Sequence, residues 1–459
     1  MSEFRIEKDS MGELQVPADA LYGAQTQRAV QNFPVSGKSM PRRFINALAL
    51  IKKSAALVNG SLGHIPKPVA DAIASSAQKV ISEDMMSHFP VDIFQTGSGT
   101  STNMNMNEVL AHLGSSDDLK VHPNDHVNYG QSSNDVIPTT IHVSAALAVK
   151  QQLLPAVDFF VKVLEQKIDE IGSVTKTGRT HLMDAMPVTF GQELGGWKAQ
   201  VLAVKKQVEA LLPSVCSLAQ GGTAVGTGIN ADPNFAPAFA KVLSQEAELP
   251  FTTDGNKFAL ISSQDTIVAL SGILKTLAVA LMKISNDLRL MNSGPLAGLS
   301  EIALPSLQPG SSIMPGKVNP VICESMMMVC AQVMGNDTAI CVGGQHGNFQ
   351  LNVMLPMIAD NLLSSVELIS NGMLILADKA IKDFEVNNDH IDSQLNKNPI
   401  LITALNAVIG YEKGAAIAKQ AYAQKRPLLD VAKEMTELSE SELKELLMAD
   451  KLTKGGIIG

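Results

Sequence analysis

The chain has 459 residues, enough for roughly three domains of about 150 residues each. Its net charge of −9 argues against a protein that binds nucleic acid or an acidic membrane, because such proteins normally carry a basic surplus. With 45% hydrophobic and only 18% charged residues the chain is not disordered, and a low aromatic content beside 21 Met is typical of cores built by packing helices.

The first residues mix acidic and basic side chains and contain no apolar segment, so we expect neither a signal peptide nor a transit peptide. No run of 18 apolar residues occurs, and no transmembrane helix is expected. The four cysteines are too few and too widely spaced for a disulfide framework or a zinc site: Cys216, Cys323, Cys330 and Cys341. These features predict a cytoplasmic protein with free thiols and no metal.

Residues 1–40 are turn-rich, and residues 41–112 have the pattern of several short helices interrupted by Gly and Pro. Five longer segments then carry apolar residues at helical spacing: 136–172, 189–212, 258–292, 320–342 and 353–381. A kink is expected at Pro155. Because these segments are apolar on more than one face, they predict a helical bundle that buries further surface by oligomerising, with a monomeric helical domain as the alternative.

The character of the chain changes twice, near residues 132 and 386, which predicts three domains over 1–132, 133–386 and 387–459. The last of these contains loops rich in Asn and Pro. It ends in a short amphipathic helix over 439–449, whose start carries the Ser-x-x-Glu pattern of a capping box at Ser439 and Glu442.

The stretch 310–325, Gly-Ser-Ser-Ile-Met-Pro-Gly-Lys-Val-Asn-Pro-Val-Ile-Cys-Glu-Ser, resembles a phosphate loop but has the wrong glycine spacing and lacks the Ser/Thr that follows its lysine. Asn319 and Pro320 suggest an N-cap and a first helical residue, so Lys317 would lie just before a helix N-terminus, where anions are favoured. A hydroxyl of this segment is then a candidate nucleophile or base. The alternative is an ordinary polar start of a helix.

Three further segments are rich in small polar groups. Residues 178–185 contain His181, although a lone histidine is more often structural than catalytic. Residues 97–101 and 131–135 are short neutral loops with many hydrogen-bond donors, which can bind carboxylates, although each by itself could be a simple turn. Pro123 between His122 and His126 predicts a loop rather than a two-histidine metal site. The glycines of 221–228 follow a helix, which makes a dinucleotide site improbable.

These segments occur together and in one order, and the chain thereby resembles the aspartase/fumarase superfamily over essentially its whole length. Within it the chain looks most like the class II, iron-independent fumarate hydratases. The similarity includes 9–12, 21–26, 96–108, 122–125, 132–135, 179–181, 221–230, 310–320, 401–406 and 409–411. Gly316, where aspartases usually carry Ala, and the forms of 323–324 and 347–349 favour the fumarases. Met183 and Gln350 depart from the common pattern without an evident catalytic consequence.

The resemblance implies a mainly α, three-domain fold. Its long central helical bundle would form a 20-helix core in a homotetramer, with active sites shared between three chains. It implies reversible hydration of fumarate to (S)-malate by anti addition of water through an aci-carboxylate intermediate, in the tricarboxylic acid cycle. The substrate would be a small dicarboxylate, with no cofactor, no metal, no nucleic acid and no membrane. Aspartate ammonia-lyase, or another succinyl-eliminating lyase of the superfamily, is the alternative.

The resemblance also assigns roles to residues. Ser311 would be the base, His181 paired with Glu324 would handle the water and the departing hydroxyl, and Lys317 would supply positive potential. The substrate would be bound by Ser98, Thr100, Ser132, Ser133, Asn134, Thr180, Ser312, Lys317 and Asn319. A second dicarboxylate site would be formed by His122, Asn124 and Asp125. A non-catalytic relative and a nucleotide-binding enzyme are the other classes considered.

Overall fold

The structure is a computed structural model that describes residues 4–456, and it is mainly helical. The strands of this range form four two-stranded antiparallel sheets. They are β1 (Phe4–Asp9) with β2 (Gly12–Pro17), β3 (Thr175–Thr180) with β4 (Met183–Thr189), β5 (Ile302–Ala303) with β8 (Glu385–Val386), and β6 (Gly347–Asn348) with β7 (Leu351–Asn352).

The helices before the long segments are α1 (Ala24–Asn32), α2 (Arg42–Ser61), α3 (Lys67–Ser82), α4 (Thr100–Gly114) and α5 (Ser133–Ala148). The five long helices predicted from the sequence are present. A continuous helical run joins α5 through a π-helical turn (Val149–Leu153) to α6 (Leu154–Ile171), and it is followed by α7 (Phe190–Val215), α10 (Asp265–Met291), α11 (Val321–Gly344) and α12 (Leu355–Leu376).

Two boundaries of the long helices differ from the prediction. The segment 258–292 is not one helix, because α9 (Lys257–Ser262) ends at Ser263, whose backbone is extended and whose Oγ accepts a hydrogen bond from the Asp265 amide at the start of α10. Helix α7 does not stop at Pro213 but continues to Val215, since a proline in a last turn costs only a terminal hydrogen bond. Pro155 follows the π-helical turn Val149–Leu153, and the wider turn makes room for the proline ring.

The remaining helices are α8 (Phe235–Ala247) and, in the C-terminal part, α13 (Asn388–Leu395), α14 (Asn406–Ile409), α15 (Tyr411–Gln424), α16 (Leu428–Met435), α17 (Glu440–Leu446) and α18 (Ala449–Leu452). A 3₁₀ helix (Pro399–Leu405) precedes α14, and a second one (Met86–His88) follows α3. The predicted capping box is confirmed, since the Ser439 amide donates to Glu442 Oε2 at 2.8 Å and the Glu442 amide donates to Ser439 Oγ at 3.3 Å.

The chain divides into two compact units. Of the described residues, the first comprises 4–155, 204–278 and 329–370, and the second comprises 156–203, 279–328 and 371–456. Every boundary between them falls within one of the five long helices, so each of these helices contributes to both units. The division into three domains near 132 and 386 stays a prediction.

Each unit has its own apolar core. In the first, buried residues of α2 pack against those of α3 and α5. In the second, the C-terminal helices share a core of Leu401, Ile402, Leu405, Ile417, Val431 and Leu443. Within residues 4–456, α10 alone has the length and composition to cross a membrane. Core helices of water-soluble proteins have the same properties, so this single helix is only a weak indication of a membrane segment.

Candidate active site

The residues assigned by resemblance fall into two groups, one in each unit. The first unit holds Ser98, Thr100, His122, Asn124, Asp125, Ser132, Ser133 and Asn134. The second unit holds Thr180, His181, Ser311, Ser312, Lys317, Asn319 and Glu324. Each segment that carries these residues is positioned by local structure of its own.

Ser98 and Thr100 lie at the start of α4, with their hydroxyl oxygens 2.8 Å apart. Two glycines make this turn possible. Gly99 adopts the left-handed conformation with φ +72°, and a Cβ on Gly97 would come within 1.7 Å of the Val353 carbonyl oxygen. The turn therefore presents two adjacent, half-buried hydroxyls next to the free amides of a helix N-terminus.

Ser132 is the N-cap of α5, and Asp135 completes a capping box with it. The Ser132 amide donates to Asp135 Oδ1 at 2.9 Å, and the Asn134 amide donates to Ser132 Oγ at 3.2 Å. The other carboxylate oxygen of Asp135 accepts from the amides of Gly221 and Thr223, at 3.0 and 2.9 Å. The glycine-rich segment 221–228 thus supports the Ser132–Asn134 turn through Asp135. This is a structural role for the segment other than nucleotide binding.

A buried lysine organises the same region. Lys52 is fully buried in α2, and its ammonium donates to Asn128 Oδ1 at 2.9 Å and to Gln131 Oε1 at 3.1 Å. Asn103 Nδ2 donates to Asn128 Oδ1 at 3.2 Å and to Ser133 Oγ at 2.9 Å. This set of hydrogen bonds fixes the orientation of Ser133 from the interior of the unit.

Burial shifts the pKa values of both charged groups beneath the turn. It lowers the pKa of Lys52 to about 7, a shift that the charge of Asp135 opposes. It raises the pKa of Asp135 to about 6, opposed by the backbone hydrogen bonds from Ser132, Thr223 and Gly221 and by the charge of Lys52. Lys52 and Asp135, whose charged forms burial disfavours, thus lie behind hydroxyl and amide donors that are themselves neutral.

The residues of the second proposed dicarboxylate site lie next to one another. The prediction of a loop around Pro123 is wrong. Residues Pro123–Val127 form a π-helical turn, because the exposed His122 caps it: His122 Nδ1 accepts from the amides of Asn124 and Asp125, at 3.3 and 3.1 Å. The Asp125 carboxylate lies 3.2 Å from the same nitrogen. The three assigned residues are therefore adjacent at the exposed N-terminus of this turn.

In the second unit, Thr180 and His181 lie at the exposed tip of the hairpin formed by β3 and β4. His181 and Leu182 are the two residues of the turn, and both are left-handed, with φ 57° and 61°. That geometry suits Asn-Gly and costs other residues roughly 1–2 kcal/mol each. The turn places the imidazole at the outermost point of the hairpin.

Ser311 begins a closed loop that precedes α11. Its Oγ accepts hydrogen bonds from the amides of Ile313 and Met314, at 3.2 and 3.0 Å. The loop is closed by a hydrogen bond from the Gly310 amide to the Lys317 carbonyl, at 2.8 Å. The hydroxyl oxygen of Ser311 is thus held by two donors that favour negative charge on it.

Asn319 is not the N-cap that the sequence predicts. Its side-chain amide donates to the Gly310 carbonyl at 2.7 Å, which closes the loop a second time, and α11 starts at Val321 rather than at Pro320. A distant acceptor therefore competes successfully with the helix for this side chain.

Lys317 and Ser311 line one cavity of about 510 Å³. Within residues 4–456, the Lys317 ammonium forms no hydrogen bond or ion pair, and His181 and Glu324 form none with each other. Glu324 lies exposed in the first turn of α11. The pairing of His181 with Glu324 stays a prediction. In the same range no group of three or more His, Cys, Asp or Glu side chains is arranged to hold a metal ion.

The motifs found in the sequence did not include Lys52, whose hydrogen bonds help to orient Ser133, and they included Asp135 only as the last residue of 131–135. Both had a signal in the sequence. Lys52 has the helical phase of the buried residues Leu48 and Ala55, and this phase is a signal in the sequence for a cation in the core. Asp135 stands three residues after Ser132, the spacing of a capping box.

Family models and known proteins agree with the sequence resemblance. A lyase family model matches residues 12–335, and a model described as the fumarase C C-terminus matches residues 401–454. A fumarate hydratase class II 2 from Pseudomonas aeruginosa is 60% identical, with 100% of both chains covered. A fumarate hydratase class II from Xylella fastidiosa is 56% identical over 99% of this chain and 96% of its own.

The fold agrees as well. The crystal structure of a recombinant class II fumarase from Schistosoma mansoni superposes with a TM-score of 0.96 at 40% identity, covering 98% of this chain and 99% of its own. The mainly helical architecture is thus the fumarase/aspartase fold. With close relatives over the full length and the matching loops in place, the chain belongs to the class II fumarate hydratase family.

Proposed function

We propose that this protein is a fumarate hydratase, a carbon–oxygen lyase that converts fumarate and (S)-malate reversibly by anti addition of water. The observation that carries the proposal is the Ser311 hydroxyl, which accepts two backbone hydrogen bonds and lines one cavity with Lys317, whose ammonium has no partner within residues 4–456. The names of relatives at 56–60% identity support the same reaction, which would belong to the tricarboxylic acid cycle.

In the direction of dehydration, the demanding step removes a proton from the carbon next to a carboxylate of malate. Ser311 is the proposed base. The amides of Ile313 and Met314 lower the cost of an alkoxide on its Oγ, as the donors of an oxyanion hole do. The C–H electron pair moves into the neighbouring carboxylate, which becomes an aci-carboxylate with two negative charges. Lys317 would stabilise this group through its positive potential.

The departing hydroxyl then needs a proton, and His181 with Glu324 is the proposed source. The carboxylates of the substrate would be bound by neutral donors at Ser98, Thr100, Ser132, Ser133, Asn134, Thr180, Ser312 and Asn319. Neutral donors suit a substrate that brings two charges of its own, since Lys317 already supplies a cation. His122, Asn124 and Asp125 remain the proposed second dicarboxylate site.

The test is the ultraviolet absorbance of fumarate against time, with chelator-treated enzyme and either (S)-malate or aspartate. Fumarate forming from malate alone is the expected result. Formation from aspartate alone would replace the hydratase by an ammonia-lyase of the same fold. No change with either substrate would contradict both.

We also propose a homotetramer with active sites shared between three chains. Its support is the exposure of apolar side chains on the long helices α10, α11 and α12: Val279, Met328, Val342 and Leu374. Light scattering at assay concentration should give four times the chain mass of 48.8 kDa, and a stable, active monomer would contradict the shared site. A cytoplasmic location is proposed with it, since all four cysteines are free thiols.

A further inference from the structure

The hairpin that carries His181 is joined by ion pairs to a group of four charged side chains, of which two are buried and two are partly exposed. Lys176 of β3 pairs with Glu193 of α7 at 2.9 Å and with Glu301 at 2.9 Å. Arg179, also of β3, pairs with the other oxygen of Glu301 at 2.7 Å. The side chains of Lys176 and Glu301 are 3% and 5% exposed, so both have lost nearly all of their hydration.

Glu301 is itself firmly held by the main chain. Its amide donates to the Met291 carbonyl at the end of α10, at 2.8 Å, and its carbonyl accepts from the Asn387 amide at 2.9 Å. The carboxylate is therefore a fixed point in the second unit. Because β3 pairs with this carboxylate through both Lys176 and Arg179, the position of the strand is set relative to Glu301.

The two positions lie on either side of an irregularity in the hairpin. The pairing of β3 with β4 shifts by one residue between Thr177 and Arg179. A Cβ on the intervening Gly178 would come within 2.4 Å of the Met186 carbonyl oxygen. Such a bulge bends and twists a strand locally. Because Lys176 precedes it and Arg179 follows it, Glu301 fixes the direction in which the tip of the hairpin points.

Apolar packing holds another part of the hairpin, where Met186 of β4 packs against the core of the C-terminal helices. Beside the ion pairs lies a cavity of about 370 Å³, which is lined by Lys176, Arg179 and Glu193 together with residues of α10, so the strand is not closely packed there. The turn beyond it holds His181 and Leu182 in the left-handed region, which requires support from the surrounding structure. Arg179, which pairs with Glu301, stands two residues before His181 in the chain.

We infer that Glu301 is a positioning residue, which holds the His181 imidazole at its working place through Arg179 and Lys176. A buried ion network is weak as a source of stability, because desolvation offsets the Coulomb attraction, but it imposes a defined geometry. The inference rests on the proposed function, in which His181 acts on the departing hydroxyl. It adds a residue that lies outside all of the catalytic and binding motifs.

The test is Glu301→Gln, with Glu193→Gln as the matched control. Both variants remove one carboxylate charge from the network, but only Glu301→Gln deprives Arg179 of its carboxylate. We expect kcat for malate dehydration to fall about tenfold or more in Glu301→Gln, since small displacements of a catalytic group are costly, with KM within about twofold of wild type. In Glu193→Gln both constants should stay within about twofold of wild type.

Arg179→Gln tests the same ion pair from its more exposed end, and it decides the matter if Glu301→Gln does not fold. It should lower kcat to a similar extent, and the double variant should be no worse than either single one, because both changes break one interaction. Equal kcat losses in Glu301→Gln and Glu193→Gln, multiplying losses in the double variant, or a rise in KM without a fall in kcat would each overturn the inference. A wild-type enzyme without fumarate turnover would instead contradict the proposed function.

Discussion

Replacing Ser311 by alanine should lower kcat for malate dehydration by at least about a hundredfold. A positioned general base contributes about 10²–10⁴-fold to a rate, and no other hydroxyl of this loop accepts two amide hydrogen bonds among the described residues. Steady-state rates and the affinity for a non-reacting dicarboxylate would be measured together. The affinity should change little, because Ser311 is proposed to act on a carbon-bound proton rather than to hold a carboxylate.

The fold should tolerate this change. The amides of Ile313 and Met314 belong to exposed residues, so water can replace the lost hydroxyl oxygen. Ser306→Ala is the matched control: it removes an exposed hydroxyl that lines the same cavity and has no proposed role. If Ser311→Ala keeps its turnover within about tenfold of wild type, roughly 1.4 kcal/mol of barrier, Ser311 is not the base.

The long helices could be predicted from the sequence because helical periodicity is a local signal that accumulates over many residues. The predicted helix boundaries were wrong where a single residue determines whether a helix ends or continues. Ser263 caps α10 where the pattern suggested an unbroken helix, and Pro213 is tolerated because it stands in a last turn. Neither outcome follows from periodicity, since each depends on one hydrogen bond at a helix end.

The candidate site was predictable as a set of motifs but not as a set of contacts. Asn319 had an equally good local use as an N-cap, and only the folded loop shows that the Gly310 carbonyl claims its side chain. The hydrogen bonds of Lys52 join α2 to the distant segment 128–131. The cations that pair with Glu301, Lys176 and Arg179, belong to β3, which is far from it in the sequence. Such long-range pairs produce no periodic pattern in the sequence. A charged residue at a position that helical periodicity predicts to be buried nevertheless indicates that a buried partner is needed.

Replacing Asp135 by alanine should have the largest effect on substrate binding in the first unit. The change removes both carboxylate oxygens of the buried Asp135, so the amides of Ser132, Gly221 and Thr223 lose their hydrogen-bond acceptor. Loss of the cap and of these hydrogen bonds should lower the free energy of unfolding by about 2–4 kcal/mol. Because Ser132 and Asn134 lose their fixed orientation, KM for malate should rise about tenfold or more, with a smaller change in kcat.

Asp135→Asn is the control that separates geometry from charge. Its single carbonyl oxygen can still accept from Gly221 and Thr223, while its amino group faces the Ser132 amide, a donor that it cannot bond. The rise in KM and the loss of stability should therefore be intermediate between those of wild type and Asp135→Ala. Urea unfolding at one fixed protein concentration and initial rates at several malate concentrations give both quantities. A wild-type KM in Asp135→Ala would show that the turn formed by Ser132–Asn134 does not bind the substrate, and the carboxylate donors would then have to be sought elsewhere in the first unit.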